Sequence, residues 1–253
     1  MARERADFAA WLESAPTSPL GAIARQPIGA SLSLGPDDAD LPLTGVPRSQ
    51  LDVQNDRITL SGPDGQRQVR RGVPFRLGEF TLTVDGPTGR VAVTVFGPTH
   101  PRHPAQYFPY DADAVFVGRL LPPDRPGTVR LLGLDGVEVD ATEAGSVVVP
   151  LGNGPTRLRV RWLPTGGEES DLEIYFRDAT NGNGTYPAGR FVPLIPVGNS
   201  RYRLDFNRAR NPFCAYSAAY PCPAPWQGNT IATAVRAGER YAGGGLENVP
   251  ASR

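Results

Sequence analysis

The sequence predicts an all-β protein, a sandwich or barrel of short antiparallel strands with one amino-terminal helix. Glycine and proline are frequent, at 29 and 27 of 253 residues, which indicates many turns. Short runs with alternating apolar residues recur along the chain, and turn sequences such as Gly-Pro-Asp-Gly at 62–65 separate them. No strand–helix–strand spacing is visible, so a Rossmann-type nucleotide-binding fold is not expected.

Composition narrows the possible functions. The 26 lysine-plus-arginine positions balance the 26 acidic ones, which leaves no electrostatic drive toward nucleic acid. All of these basic positions are arginine, so lysine-dependent chemistry such as a Schiff base or a P-loop is excluded. This lysine-free usage, rich in Arg, Ala, Gly and Pro, is typical of a GC-rich bacterial genome.

The amino-terminal sequence favours a cytoplasmic location. Residues 1–15 are charged and lack the apolar core of a signal peptide. No run of the chain approaches the roughly 18 apolar residues of a membrane span, so no membrane partner is expected. In a cytoplasmic protein, Cys214 and Cys222 are expected to be reduced thiols.

The elements are predicted in chain order. A helix is expected at 2–13, because Phe8, Trp11 and Leu12 form an apolar stripe, and Pro16 and Pro19 follow its end. The stretch 21–53 carries few clear signals. Strands are predicted at 30–34, 41–43, 57–61, 66–71, 80–84, 90–96, 114–121, 128–132, 137–140, 146–151, 156–162 and 172–176.

Three regions follow from this pattern: an amino-terminal helix (1–20), a β-rich part (21–110) and a β-rich core (111–253) with a motif region at 171–230. The sequence leaves open whether 21–110 is a separate subdomain. A proline-rich segment at 97–113 interrupts the strands and holds both histidines, His100 and His103. It is interpreted as the lid or rim of a pocket, or as a crossover loop packed by its aromatic side chains.

The motif region places polar side chains inside strand-like runs. Arg190 lies between Gly189 and Phe191, and Asp205 and Asn207 alternate with apolar neighbours. On a strand, Asp205 and Asn207 would share one face. Polar residues spaced like core residues form either a buried polar network or a binding site.

Two phrases in this region carry a family resemblance. They are FRDATNGNGTYPAGRF at 176–191 and LDFNRARNPFCA at 204–215, and Cys222, Pro223, Pro225 and Asn229 match a closing phrase. With them the chain resembles a bacterial family known as domain of unknown function 1684. The resemblance covers about the last third of the chain, and it implies the place of a functional region but no activity.

Three positions depart from the family pattern. Arg210, Phe213 and Gly228 stand where the family has Tyr, Pro and Glu. If that Glu served as a general acid or base in relatives, this chain has lost it. Shared chemistry would then rest on Asp205, Asp178 or the arginines.

The first functional hypothesis is an enzyme or binding protein for a small molecule, an anionic one included, with no cofactor or metal. Whether it catalyses anything stays open; a non-redox lyase, isomerase or cyclase step in specialised metabolism fits. Asp205 would act as general base, while Arg190 and Tyr186 stabilise an anion. The further predicted ligand contacts are Asp178, Arg177, Asn207, Arg208, Asn211 and His103.

The alternative hypothesis is a non-catalytic β-sandwich interaction module, in which a buried Asp–Arg pair only ties strands together. A variant of the first hypothesis joins Arg177, Arg190, Arg208 and Arg210 into a fork for an anion.

Two further chemistries find less support in the sequence. Nucleophilic catalysis by Cys214 or Ser217 lacks a nearby base and a G-x-S-x-G turn. The C-x7-C spacing is loose for zinc, which leaves a disulfide or two buried thiols as the alternatives.

Overall fold

The computed structural model describes residues 1–98, 105–151, 154–163, 172–224 and 226–241. Within them the chain forms sixteen strands in three sheets and one α-helix, α1 (Ala2–Ser14). The predicted all-β class is therefore confirmed, in a sandwich-like form. The chain divides into two compact units, an upstream unit (Ala10–His103) and a downstream unit (Met1–Ala9 with Pro104–Arg253).

The upstream unit contains two sheets that share one core. Its strands are β1 (Ala22–Ile28), β2 (Ser31–Gly35), β3 (Leu41–Pro42), β4 (Ser49–Gln54), β5 (Arg57–Gly62), β6 (Gly65–Val69), β7 (Phe75–Leu77), β8 (Phe80–Asp85) and β9 (Val91–Phe96). One sheet has the order β1-β9-β8-β7 and the other β3-β2-β4-β5-β6. Residues of both sheets, among them Leu34, Leu51, Leu82 and Val93, meet in one apolar cluster.

Strands with clear alternation are predicted better than strands without it. The turn at 62–65 joins β5 to β6, with Gly62 opposite Gly65. The sequence prediction misses β1, β4 and β7. In β1, Ile23 is 55% exposed and Pro27 interrupts the run, so the strand depends on its pairing with β9 rather than on its own pattern.

The downstream unit is built on a seven-stranded antiparallel sheet. Its strands are β10 (Val115–Arg119), β11 (Thr128–Leu132), β12 (Glu138–Val149), β13 (Thr156–Trp162), β14 (Leu172–Phe176), β15 (Arg190–Gly198) and β16 (Arg201–Asp205). Their order is β10-β16-β15-β14-β13-β12-β11. One face carries an apolar core that includes Val160, Ile174 and Leu194, and Trp226 packs with Tyr175 and Phe191 in a separate cluster.

A β-bulge joins two predicted strands into one. The sequence predicts separate strands at 137–140 and 146–151, but β12 runs through, with a register shift between Glu143 and Gly145 against β13. Gly145 has φ +144°, and a Cβ there would lie 2.1 Å from the Leu121 carbonyl oxygen. The amide of Leu121 donates to the Ser146 carbonyl at 2.8 Å, so the chain after β10 approaches closely at the bulge.

The strand that carries Asp205 ends at that residue. β16 stops at Asp205, whose Oδ1 accepts the amide of Asn207 at 3.0 Å and caps a 3₁₀ turn at Phe206–Arg208. The expected alternation of Asp205 and Asn207 on one strand face is therefore wrong. The Asp205 side chain offers the Asn207 amide a hydrogen bond in place of a bond to a neighbouring strand, and the chain turns there.

No helix among the described residues is long and apolar enough to cross a membrane.

Replacing Gly145 by Ala tests the bulge. We expect it to lower the free energy of unfolding by roughly 2 kcal/mol or more, because the new Cβ strains a positive φ and meets a carbonyl oxygen. Gly118→Ala in β10 is the matched control, since a Cβ there meets nothing within 4 Å. Urea denaturation measures both, and equal stabilities would contradict this account of the bulge.

Candidate functional site

Arg190 begins β15 and is completely buried, with its side chain 0% exposed. Nη2 donates to Asp178 Oδ2 and to the Val235 carbonyl, both at 2.9 Å. Nη1 donates to the carbonyl of Ala237 and, at 3.2 Å, to that of Glu239. We call this group of five residues the Arg190 clamp, because one guanidinium binds the sheet to the segment 235–239.

Asp178 is as fully committed as its partner. Its Oδ1 accepts the amide of Thr180 at 2.8 Å, the Thr180 hydroxyl at 2.6 Å and the Val235 amide at 3.2 Å. With Arg190 on Oδ2, the carboxylate accepts from both sides and reaches no solvent. The two predicted site residues do come together, but they face each other rather than an open space.

The local sequence explains why the guanidinium lies here. Gly189 has φ +118°, and a Cβ there would lie 2.5 Å from the Phe176 carbonyl oxygen, so only glycine allows β14 and β15 to approach at this point. The guanidinium lies 5.3 Å from the Phe176 ring centroid. Burial lowers the pKa of Arg190, and the Asp178 charge opposes that effect.

Asp205 and Asn207 form a second, separate network. Asp205 Oδ1 accepts the Asn207 side-chain amide at 3.0 Å as well as its backbone amide. Asn207 Oδ1 accepts the Asp111 amide at 2.9 Å, and Asn207 Nδ2 donates to the Asp111 carbonyl at 2.7 Å. Arg5 of α1 donates to the Asn207 carbonyl at 3.2 Å. The predicted general base is thus a turn cap, and its neighbour is an anchor for the loop before β10.

The predicted arginine fork does not assemble. Arg177 is exposed, and Arg208 pairs with Glu4 of α1 at 2.8 Å on the surface. The Nη groups of Arg190 are already committed to the clamp.

Glu239 is a buried carboxyl that sequence reasoning missed. It is 1% exposed; Tyr216 donates its hydroxyl to Oε1, and the Asn211 amide donates to Oε2 at 2.8 Å. Burial raises the pKa of Glu239 to about 7, against the opposing effects of these hydrogen bonds and of Arg210 and Arg190. We call Glu239, Tyr216 and Asn211 the Glu239 cluster.

Asn211 and Tyr107 complete the surroundings of this carboxyl. Asn211 is 3% exposed, its Nδ2 donates to the Arg240 carbonyl at 3.1 Å, and its Oδ1 has no hydrogen-bond partner among the described residues. Tyr107 pairs with Glu239 as an isolated β-bridge, and the Arg5 guanidinium lies 4.5 Å from its ring centroid. The only sequence signal for Glu239 is an acidic residue after an apolar stretch, because its burial comes from segments far apart in the chain.

Cys214 and Cys222 form a disulfide, with their Cα atoms 5.5 Å apart. The expectation of reduced thiols is wrong here, because the turn at 213–216 brings the two residues within bridging distance. The Tyr186 hydroxyl lies 3.4 Å from Cys214 Sγ and 3.2 Å from Cys222 Sγ. Burial raises the pKa of Tyr186, which is 5% exposed.

The predicted lid is described only in part. His103 and His100 lie outside the described residues. In the remainder of 97–113, the Phe108 amide donates to the Gly238 carbonyl at 3.0 Å, whereas Tyr110 is 58% exposed. Within the described residues, no group of three or more His, Cys, Asp and Glu side chains could hold a metal ion.

The closing phrase of the motif is structural where it is described. Asn229 is 1% exposed, and its Oδ1 accepts the Arg159 amide at 2.8 Å. Its Nδ2 donates to the Arg159 carbonyl at 2.9 Å and to the Tyr175 carbonyl at 3.1 Å. Gly228, the departure from the family's Glu, has φ +87° and faces open space.

A cavity lies in the upstream unit, and none of the predicted site residues is among those that line it. Its volume is about 430 Å³, and Ser49, Gly62, Arg67, Arg76 and Gly78 are among its lining residues. Arg67 donates to the Arg76 carbonyl at 2.7 Å across it.

The raised pKa of Glu239 predicts a pH dependence of stability. A folded-state pKa of about 7 against an ordinary 4.5 means that the contribution of this carboxyl is complete below about pH 4.5 and is lost as the pH rises through 7. Glu239→Gln, which imitates the protonated form, removes that loss. Thermal unfolding between pH 5 and 7 should therefore show the variant gaining on the wild type by about 1 kcal/mol per pH unit, with the difference level above about pH 7.

Glu143→Gln is the matched control for this experiment. Hydrogen bonding from Arg159 lowers the pKa of Glu143, so its contribution is present above pH 4.5 and lost only at lower pH. A wild type and Glu239→Gln variant that stay parallel from pH 5 to 8 would contradict the assignment.

Comparison with known proteins assigns the region that forms most of the downstream unit to a protein family. A family model described as "Protein of unknown function (DUF1684)" matches residues 103–240. A solution NMR structure of the uncharacterized protein from gene locus rrnAC0354 of Haloarcula marismortui is 32% identical; the match covers 58% of this chain and 79% of that one, with a TM-score of 0.48. None of the curated proteins matches. Because the family model spans more than half of the 253 residues, the chain belongs to the DUF1684 family of proteins of unknown function.

Proposed function

We propose that the downstream unit is a non-catalytic β module, that the protein acts by binding a partner, and that the Asp/Arg motif is its structural staple. The observation that supports this proposal is the state of Arg190, whose side chain is 0% exposed with both Nη groups bonded inside the clamp. A catalytic or ligand-binding group needs an atom that a substrate can reach. Arg190 and Asp178 offer none.

The second network supports the same proposal. Asp205 is 6% exposed, and its Oδ1 accepts hydrogen bonds from the backbone amide and the side-chain amide of Asn207. A general base must accept a proton from a substrate, whereas this carboxylate ends a strand. Of the predicted catalytic residues, only Tyr186 has its polar atom beside a reactive group, the disulfide.

The small-molecule hypothesis is the second candidate, with a different acid–base group. Glu239 favours it, because a carboxyl with a pKa of about 7 suits proton transfer at neutral pH. The unpartnered Oδ1 of buried Asn211 adds an acceptor beside it. Under this candidate a small molecule, an anionic one included, should raise the melting temperature of the wild type and not that of Glu239→Gln.

Origin and location belong to the proposal as well. The lysine-free composition supports a bacterial source, and the balanced charge supports the absence of a nucleic-acid partner; a cytoplasmic location without a membrane partner is proposed with them. In a cytoplasmic protein the Cys214–Cys222 disulfide is expected to be catalytic or redox-sensing, because most disulfides of cytosolic mesophile proteins are.

Removing the guanidinium tests the staple. Arg190→Met keeps most of the side-chain volume but leaves the Asp178 carboxylate buried without its cation, so we expect a loss of about 3–5 kcal/mol in the free energy of unfolding. Adding Asp178→Asn should restore part of that loss, because no unpaired charge then remains. Urea denaturation with circular dichroism measures each variant.

The Arg208–Glu4 pair supplies the control. Its side chains are 31% and 50% exposed, so Arg208→Met should cost no more than about 1 kcal/mol. If Arg190→Met is as stable as the wild type or more stable, the clamp is a strained functional site and the staple proposal fails.

A further inference from the structure

The disulfide loop, defined as residues 214–222, presents its two sulfurs to different surroundings. Cys214 is 3% exposed and belongs to the buried turn at Phe213–Ala215. Cys222, at the other end of the loop, is exposed. Of the two residues, Cys222 is the one that solvent reaches, which makes its sulfur the expected point of attack and the Cys214 sulfur the expected leaving group.

Tyr186 is placed to assist the departing sulfur. Its buried hydroxyl lies 3.4 Å from Cys214 Sγ, 3.2 Å from Cys222 Sγ and 3.3 Å from the Cys214 carbonyl oxygen. In the oxidised form the acceptor of this hydroxyl is the Cys214 carbonyl, and the two disulfide sulfurs are weak alternatives to it. A thiolate accepts a much stronger, charge-assisted hydrogen bond, so the same hydroxyl favours the opened form.

The loop has other attachments that hold it when the disulfide opens. The Phe213 amide donates to the Leu134 carbonyl at 2.8 Å, and Tyr216 donates to Glu239. Beyond the loop, Trp226 packs edge-on to the Tyr175 ring, and the Tyr175 hydroxyl, which donates its proton to the Ala188 carbonyl, lies 3.4 Å from the Pro223 carbonyl oxygen. Breaking the sulfur–sulfur bond therefore leaves the surrounding chain in place, with Cys214 still beside Tyr186.

We propose that Cys214–Cys222 is a thiol–disulfide exchange site for low-molecular-weight thiols, with Cys222 as the attacked sulfur and Tyr186 as the donor to the Cys214 thiolate. The thiolate of the small thiol forms a bond to Cys222 Sγ, and the Cys222–Cys214 bond breaks. Cys214 leaves as a thiolate, which accepts the Tyr186 hydroxyl proton in a hydrogen bond. The product is a mixed disulfide at Cys222.

The cycle balances with one further thiol of the same class. A second thiolate attacks the sulfur of the small thiol in the mixed disulfide and releases Cys222. Two small thiols are thereby oxidised to their disulfide, and the protein disulfide is reduced to two thiols by the same two electrons. Alternatively, Cys214 attacks Cys222 again and releases the small thiol unchanged, so Cys222 is a reversible modification site.

The first test uses the native full-length protein and reduced glutathione as the probe. Samples are quenched with N-ethylmaleimide at mildly acidic pH, where it still alkylates free thiols, and the adducts are located by peptide mass spectrometry. We expect opening without denaturant, with glutathione on Cys222 and alkylation on Cys214. The Cys214→Ser variant is given oxidised glutathione instead: the Cys222 thiolate attacks its disulfide and releases one glutathione thiolate. This variant should collect the mixed disulfide at Cys222, because the thiol that would expel the bound glutathione is missing.

Tyr186→Phe tests the role of the hydroxyl. The rate constant of opening should fall at least about tenfold, in line with the loss of a hydrogen bond to a charged acceptor. Tyr241→Phe is the matched control, since its ring packs edge-on to Tyr186 at 4.9 Å and its hydrogen bond among the described residues runs from its backbone amide to the Gly184 carbonyl. A melting curve of each variant shows that the fold is kept.

Three results would overturn the proposal. The disulfide could react only after denaturation, which would make it a purely structural crosslink. Glutathione could appear on Cys214 rather than Cys222. Tyr186→Phe could open as fast as the wild type and Tyr241→Phe. The first two outcomes are read on the wild-type protein, so they do not depend on any variant folding.

Discussion

A guanidinium held away from water must find its hydrogen bonds and its counter-charge inside the protein, and the downstream unit is arranged around that requirement. Arg190 takes its counter-charge from Asp178 and its remaining bonds from the carbonyls of 235, 237 and 239. The segment that follows β16 is thereby fixed on the sheet by a charge whose release would leave Asp178 buried and unpaired.

The fixed segment then positions its neighbours. The Glu239 amide donates to the Ala209 carbonyl at 2.9 Å, and the Arg240 amide to Gln106 at 2.7 Å. Gly238, with φ +77°, lets the chain pass so close that a Cβ would lie 2.6 Å from the Phe206 carbonyl oxygen. The burial of Glu239, and with it the raised pKa of that carboxyl, follows from the clamp rather than from the local sequence.

Local pattern was enough to predict much of the fold but little of the site chemistry. β11, β13 and β14 have the predicted bounds because their alternation is regular, while β1 and β4 depend on partners that the sequence does not reveal. The sequence locates the motif correctly as a polar cluster but not its roles, since the Nη groups of Arg190 donate to carbonyls 45 to 49 residues away. The thiol state was inferred from an expected compartment, whereas the structure sets it by the approach of Cys214 to Cys222.

Native-state hydrogen exchange tests the central claim, that the clamp holds the segment 235–239 as firmly as the sheet. The amides of Val235 and Glu239, which donate to Asp178 Oδ1 and the Ala209 carbonyl, are compared with the slowest amides of β14. The account predicts equal exchange free energies, because the segment can leave only when the unit unfolds globally. Exchange at Val235 and Glu239 through a local opening several kcal/mol lower would contradict it.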